Sequence, residues 1–339
     1  MEKGNRQKWI VHICIFVSVM GLSYWSILKN QDFAKMAASI RKLSILSVAE
    51  AVILAVAFVA LEGCMIWYLL KGIGEKTGLH LCISYSFIGF FFSGITPSAT
   101  GGQPMQLYYM KKDGNSLSSA SVVLVTVAVM YKFVLVVTGI GLLIFWRQPL
   151  REYLQGYYPL YFLGLFLNTV LVIILLWVMF SPKSIRAVLL KAEAFLVHLR
   201  FWKQSDARQN RIDRFLAGYQ ETVHFLQYHK KMIGMIAIGT FLQRFGAFLL
   251  TYVIYRGLGL CGFSIWNIVW LQASVYIAVD MLPIPGAQGI TEAMFRSVFI
   301  NIFTEQYLAA SICITRGISF YLIMLLGFVV FIVRHFRKS

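Results

Sequence analysis

Thr96-Pro97-Ser98-Ala99-Thr100-Gly101-Gly102-Gln103-Pro104 cuts through an apolar block at 79–110, and Pro283-Ile284-Pro285-Gly286-Ala287-Gln288-Gly289 cuts through another at 264–304. Proline removes a backbone donor and glycine favours irregular backbone, so neither block forms one continuous helix. Further apolar blocks lie at 45–70, 117–146, 158–181, 232–258 and 306–333, preceded by a run from Trp9 to Leu28. A bilayer crossing needs about 20 such residues. The composition agrees: 59% of residues are hydrophobic, 13% are charged, and the mean hydropathy is +0.71. A soluble domain is about half apolar and one-quarter charged. The sequence therefore specifies an all-α integral membrane protein, a single polytopic domain over 1–339. Non-helical backbone at membrane depth survives only where protein buries it or it lines a wet cavity. On that reading Pro97, Gly101, Gly102, Gln103, Pro283, Pro285, Gly286 and Gly289 line an interior cavity. The alternative is that each break only kinks its helix.

Lys and Arg outnumber Asp and Glu by 31 to 14, a formal charge of +17. They gather at the ends of apolar runs and in the segment 182–231, which has ten basic residues against four acids. This is the positive-inside pattern with attraction to anionic lipid, and it does not indicate nucleic acid. Lys3, Arg6 and Lys8 precede the first run, and Arg334, Arg337 and Lys338 close the chain. Leu22 to Leu28 is bulky and unsuited to cleavage, so the first run is a retained helix. Both termini and segment 182–231 then belong in the cytoplasm. Parity requires block 79–110 to enter and leave on one face, and its 32 residues are too few for two full spans. Block 264–304 must do the same from the other face. The expectation is six full transmembrane helices and two re-entrant hairpins entering from opposite sides. It puts the loop 29–44 outside, although Lys29, Lys35, Arg41 and Lys42 make that loop basic.

Opposed hairpins suggest an inverted repeat, a common transporter plan. Pro97 and Pro283 lie 186 residues apart, Lys132 and Arg316 184, and Glu62 and Arg244 182. The half-repeats are placed at 45–146 and 232–333. Between them, Ile185, Val188, Leu189, Ala192, Phe195, Leu196 and Leu199 share a helical face, as do Ile212, Phe215, Leu216, Tyr219, Val223 and Leu226. These basic amphipathic helices either lie on the inner leaflet or cap the bundle.

Glu62, Lys132, Arg244, Asp280, Glu292, Arg296 and Arg316 fall inside apolar blocks. Each costs at least ~2.5 kcal/mol facing lipid at a helix centre, so together they imply a polar interior. In the functional reading Lys132, Arg244 and Arg316 hold an anionic head group while Glu62, Asp280 and Glu292 balance them or bind an amine. In the structural reading they are internal salt bridges. Cys14, Cys64, Cys82, Cys261 and Cys313 show neither disulfide nor zinc spacing. Gly257-Leu258-Gly259-Leu260-Cys261-Gly262 fits a dinucleotide fingerprint only by letter, since it ends a membrane helix. His224 and His229 are five apart and off a metal pair's i, i+4 spacing. No ATP-binding loop or hydrolase elbow occurs, and no metal, cofactor or catalytic residue is expected.

Gly94-Ile-Thr-Pro97-Ser-Ala-Thr-Gly101-Gly102-Gln103-Pro104-Met-Gln106 with Lys111-Lys112-Asp113-Gly114, and Leu282-Pro283-Ile-Pro285-Gly286-Ala-Gln-Gly289-Ile-Thr-Glu292, resemble the two signatures of the lysylphosphatidylglycerol synthase transmembrane-region family. The chain is similar to the flippase half of the bacterial multiple peptide resistance factor. That resemblance implies a multi-pass protein of the bacterial cell membrane that flips aminoacylated phosphatidylglycerol or a related phospholipid and aids resistance to cationic peptides. The full-length enzyme also carries a soluble synthase domain. This chain stops at Ser339, just past the last apolar block, so a stand-alone member without lysyltransferase activity is expected. The same-class alternative is a polyisoprenyl-phosphate carrier. Rivals of another class are a lipid-modifying transferase and a membrane scaffold for a separate lipid synthase. Membrane phospholipid, such a synthase and a second copy of the chain are the expected partners.

Overall fold

The computed structural model describes residues 33–96, 99–181, 185–187, 190–191 and 206–336. The expected first span at 9–28, Pro97, most of the first amphipathic face, Arg337 and Lys338 lie outside them. Every regular element among the described residues is helical: α1 (Phe33–Arg41), α2 (Ile45–Ile73), α3 (Leu79–Ile95), α4 (Gly102–Lys112), α5 (Leu117–Phe145), α6 (Arg147–Leu154), α7 (Tyr158–Phe180), α8 (Asp206–Tyr228), α9 (Lys230–Gly257), α10 (Ile265–Val279), α11 (Ile290–Arg316) and α12 (Ile323–Phe336). Five stretches are long and apolar enough to cross a membrane: Ile45–Ile73, Leu117–Phe145, Arg147–Phe180, Lys230–Gly257 and Ile290–Phe336, while α3 and α10 are shorter apolar helices. The chain is an all-α, multi-pass membrane protein.

The two interrupted blocks form true hairpins. In the first, Gly89 of α3 meets Gln106 of α4 and Ser93 meets Gly102, a pairing that makes the arms antiparallel. A Cβ on Gly102 would lie 2.7 Å from the Gly89 carbonyl oxygen, so only glycine lets the backbones come this close. Both outer ends of this hairpin reach one face. Thr77 before α3 donates to Asn115 after α4, and the Ser116 N–H donates to Glu75 (3.1 Å). The same face holds the Arg334–Asp113 ion pair and the contact of Ser118 Oγ with the Phe215 carbonyl of α8 (2.9 Å). Leu216, Tyr219, Val223 and Leu226 of α8 are buried on the side packed against α5. Thus α8 is a cap on the bundle.

In the second hairpin the chain runs through α10, breaks, and returns through the first arm of α11 to Thr304, whose φ of 56° interrupts the helix. Tyr255 at the end of α9 packs against both Phe263 and Phe303, at 6.5 and 5.6 Å, so this hairpin opens on the opposite face. There the Ser44 N–H donates to the Gly257 carbonyl (3.2 Å), and Lys42 lies over the Tyr307 ring at 5.9 Å. The described part of the basic loop 29–44 is therefore on the face away from α8. The two hairpins meet at their tips. The Pro285–Ala287 turn packs on α3, and Phe90 of α3 lies 6.1 Å from Phe320. Phe320 belongs to a π-helical turn, Gly317–Leu322, that joins α11 to α12.

Candidate functional site

Three helices and the second break converge on a belt of polar side chains inside the bundle. Tyr131 and Lys132, adjacent on α5, donate to the two different carboxylate oxygens of Asp280, where α10 ends. Lys132 and Asp280 are 13% and 12% exposed, so this is a buried ion pair and not a surface one. The Tyr131 ring lies under the Arg244 guanidinium of α9 at 3.8 Å, and the Phe58 ring of α2 lies 4.4 Å on its other flank. Desolvated cation–π contacts of this kind reach about 2 kcal/mol. Gln243, the neighbour of Arg244, donates to the Phe58 carbonyl at 2.6 Å and so clamps α9 to α2. One turn beyond Phe58, Glu62 accepts from Gln106 of the first hairpin at 2.7 Å.

A second ion pair lies at the second break. Arg316 Nε donates to Glu292 Oε1 at 2.7 Å, and its Nη2 donates to the Gly286 carbonyl at 2.9 Å. The other oxygen of Glu292 accepts from the Gly289 N–H at 2.6 Å, capping the helix that begins there. Gly286 has φ +59°, and a Cβ on it would stand 2.5 Å from the Phe320 ring, so the turn requires glycine twice over. The Arg316 guanidinium itself lies 4.8 Å from that ring. Phe58 and Phe90 are 6.4 Å apart, so aromatic rings form a continuous path from Arg244 to Arg316.

The interior residues thus differ in how completely they are satisfied. Lys132 is held by Asp280 and by the Met281 sulfur at 3.2 Å. Arg316 is held by Glu292 and a carbonyl. Arg244, only 4% exposed, has Nε without any hydrogen-bond partner, and its Nη2 reaches only Gln243 at 3.4 Å. Gln288 in the second break likewise has a buried Nε2 with no acceptor. Buried donors left unpaired are rare and costly.

The belt comprises Glu62, Lys132, Arg244 and Asp280, with Glu292 and Arg316 at the adjoining break. Arg296 is exposed and takes no part. Gln103 and Pro283 are exposed as well, whereas Gly102 is packed between arms and Gly286 against Phe320. Phe58, Gln106, Tyr131, Gln243 and Gln288 complete the arrangement, and only a polar residue in an apolar block could have signalled Gln106 or Gln243. No group of three metal-binding side chains occurs among the described residues.

The family model for the lysylphosphatidylglycerol synthase TM region matches residues 9–327. The chain belongs to this family. It is 28% identical over 266 residues to a UPF0104 membrane protein of Pyrococcus horikoshii, an alignment covering 76% of this chain and 78% of that one. The match extends across both hairpins and the capping segment and ends just inside the last helix, so the polar belt lies wholly within the family region. Membership places the chain among lipid-related membrane proteins.

Proposed function

We propose that this family member moves a phosphate-bearing lipid, aminoacylated phosphatidylglycerol or a related phospholipid, between leaflets without ATP. The observation that carries the proposal is Arg244: a buried guanidinium with a partnerless Nε, set between two rings beside the second break. A phosphate supplies the missing acceptors, and arginine can engage it with two parallel bonds. Lys132 and Arg316, already neutralised by acids, keep the surroundings polar and near charge balance, so the head group can enter without stranding a lone charge. Acyl chains remain in the bilayer. The two hairpins are read as re-entrant halves of an inverted repeat whose tips meet at Phe320, and rocking of one half on the other exposes the belt to each leaflet in turn. The face carrying α8, Lys111, Lys112 and Arg334 is assigned to the cytoplasm by its basic residues.

Proteoliposomes carrying head-group-labelled phospholipid test the proposal. Arg244→Gln should slow lipid movement at least about tenfold, as expected for losing a charged hydrogen bond of about 1.5–3 kcal/mol, while Arg244→Lys retains part of the rate. A folded Arg244→Gln protein that moves lipid at the wild-type rate refutes the assignment. Orientation is read by labelling single cysteines in intact cells. Lys112→Cys and Glu221→Cys should be protected from an impermeant reagent, and Arg151→Cys should react. Labelling of all three from outside would overturn the re-entrant topology.

A further inference from the structure

A small cavity of about 30 Å³ lies between α2, α9, α10 and the end of α11, and its wall includes Phe58, Ala247, Gln272, Tyr276, Thr315 and Ser319. Two of its buried oxygens, Gln272 Oε1 and Thr315 Oγ1, have no hydrogen-bond partner. Their residues are each only 6% exposed. Thr315 is unusual for this chain. Thr126, Thr169, Thr222, Thr240 and Thr291 all donate to the carbonyl four residues earlier, at 2.7–2.8 Å. Helical threonine ordinarily hides its hydroxyl in that way. Thr251, next to the wall residue Leu250, is also unpaired. Glutamine behaves similarly: the amides of Gln106 and Gln243 are bonded at 2.7 and 2.6 Å, whereas the Gln272 oxygen is not.

We propose that this cavity is a subsite for an uncharged hydroxyl on the substituent attached to the lipid phosphate, with Gln272 and Thr315 setting head-group preference. The inference rests on the phosphate being held at Arg244. Position supports it: Phe58, whose ring carries the Arg244 guanidinium, lines the cavity, and Ala247 lies about one helical turn from Arg244. The volume exceeds the roughly 10–15 Å³ that one water-sized group requires, hence room for a hydroxyl. Charge decides between donors. The wall carries no carboxylate, so an ammonium or a metal cation finds no counter-charge on it. A hydroxyl donates to Gln272 Oε1 and accepts from the Thr315 hydroxyl, which uses both unpaired groups.

The test is thermal stabilisation of the purified full chain in detergent by dioctanoyl-phosphatidylglycerol, dioctanoyl-phosphatidylcholine and free glycerol 3-phosphate. Half-maximal stabilisation should need at least about fivefold less of the glycerol lipid than of the choline lipid, with glycerol 3-phosphate weaker than either. Gln272→Leu and Thr315→Val should each remove the difference between the lipids. Arg244→Gln should weaken both lipids equally, so a failure of the phosphate site is told apart from a failure of the subsite. Equal stabilisation of the wild-type chain by both lipids overturns the subsite. So does an unchanged preference in both variants, which would mean that the cavity holds only a structural water. Glycerol 3-phosphate matching the lipid would assign the cavity to a soluble phosphoester and also overturn it.

Discussion

The two breaks follow similar chain paths and are fastened by different chemistry. At the first, Thr96 Oγ1 donates to the Phe92 carbonyl at 2.7 Å and accepts from the Gly101 N–H at 2.9 Å. Beyond it a single neutral amide, Gln106, reaches the acid on α2. At the second, two ion pairs and one capped amide converge: Arg316 on Glu292 and the Gly286 carbonyl, Glu292 on the Gly289 N–H, and Lys132 with Tyr131 on Asp280. Buried ion pairs give little net stability against an apolar substitute but lose several kcal/mol when one partner is removed. The break from Pro283 to Gly289 is therefore the all-or-none element, whereas the break from Thr96 to Gly101 is the tolerant one, the first hairpin's own ion pair, Arg334 on Asp113, lying at its outer end.

Arg316→Ala should break the comparison most forcefully. It leaves Glu292, 7% exposed, without its cation, and the expected loss is about 3–5 kcal/mol of stability. Thermal unfolding in detergent reads it. Adding Glu292→Gln should restore most of the loss, because glutamine still accepts from the Gly289 N–H and carries no charge. If the double variant also regains lipid transport, Arg316 is a counter-ion and Arg244 alone holds the phosphate. Gln106→Leu comes next, since it removes the hydrogen bond to Glu62 and should cost about 1.5–3 kcal/mol. An effect as large as that of Arg316→Ala would erase the distinction between the hairpins. Thr96→Val is the mildest, about 1 kcal/mol for a lost local cap, visible as a small drop in unfolding temperature. A transport defect from Thr96→Val without that drop would show that the first break contacts lipid directly.

The chain path was legible because proline, glycine and charge are blunt signals. Pro283 to Gly289 cannot continue a helix, and the helices Ile265–Val279 and Ile290–Arg316 stop and start on either side of it. The boundary between blocks 264–304 and 306–333 coincides with Thr304. Which ions pair was not legible. Lys132 and Arg316 follow the break prolines Pro97 and Pro283 at similar spacing, yet Lys132 crosses to Asp280, 148 residues away, while Arg316 reaches Glu292 only 24 away. Spacing along a helix says nothing about which neighbouring helix a side chain faces. Phe58 and Tyr131 left no trace either, because an aromatic within an apolar run looks like any other core residue until a guanidinium is found against it.

Arg316 and Arg334 are 18 residues apart, five whole turns of an undisturbed α-helix, so without interruption they would point the same way. They do not: one serves Glu292 in the second hairpin and the other Asp113 in the first. The π-helical turn Gly317–Leu322 between them takes up one surplus residue, and at about 100° per residue that rotates the second arginine by roughly a quarter turn. The turn is a phase shifter that lets one rod address two partners lying in different directions. Were the turn to relax to regular α-helix with no change of length, the arginines would come back into line, leaving Arg334 unable to face Asp113 as long as Arg316 stays on Glu292.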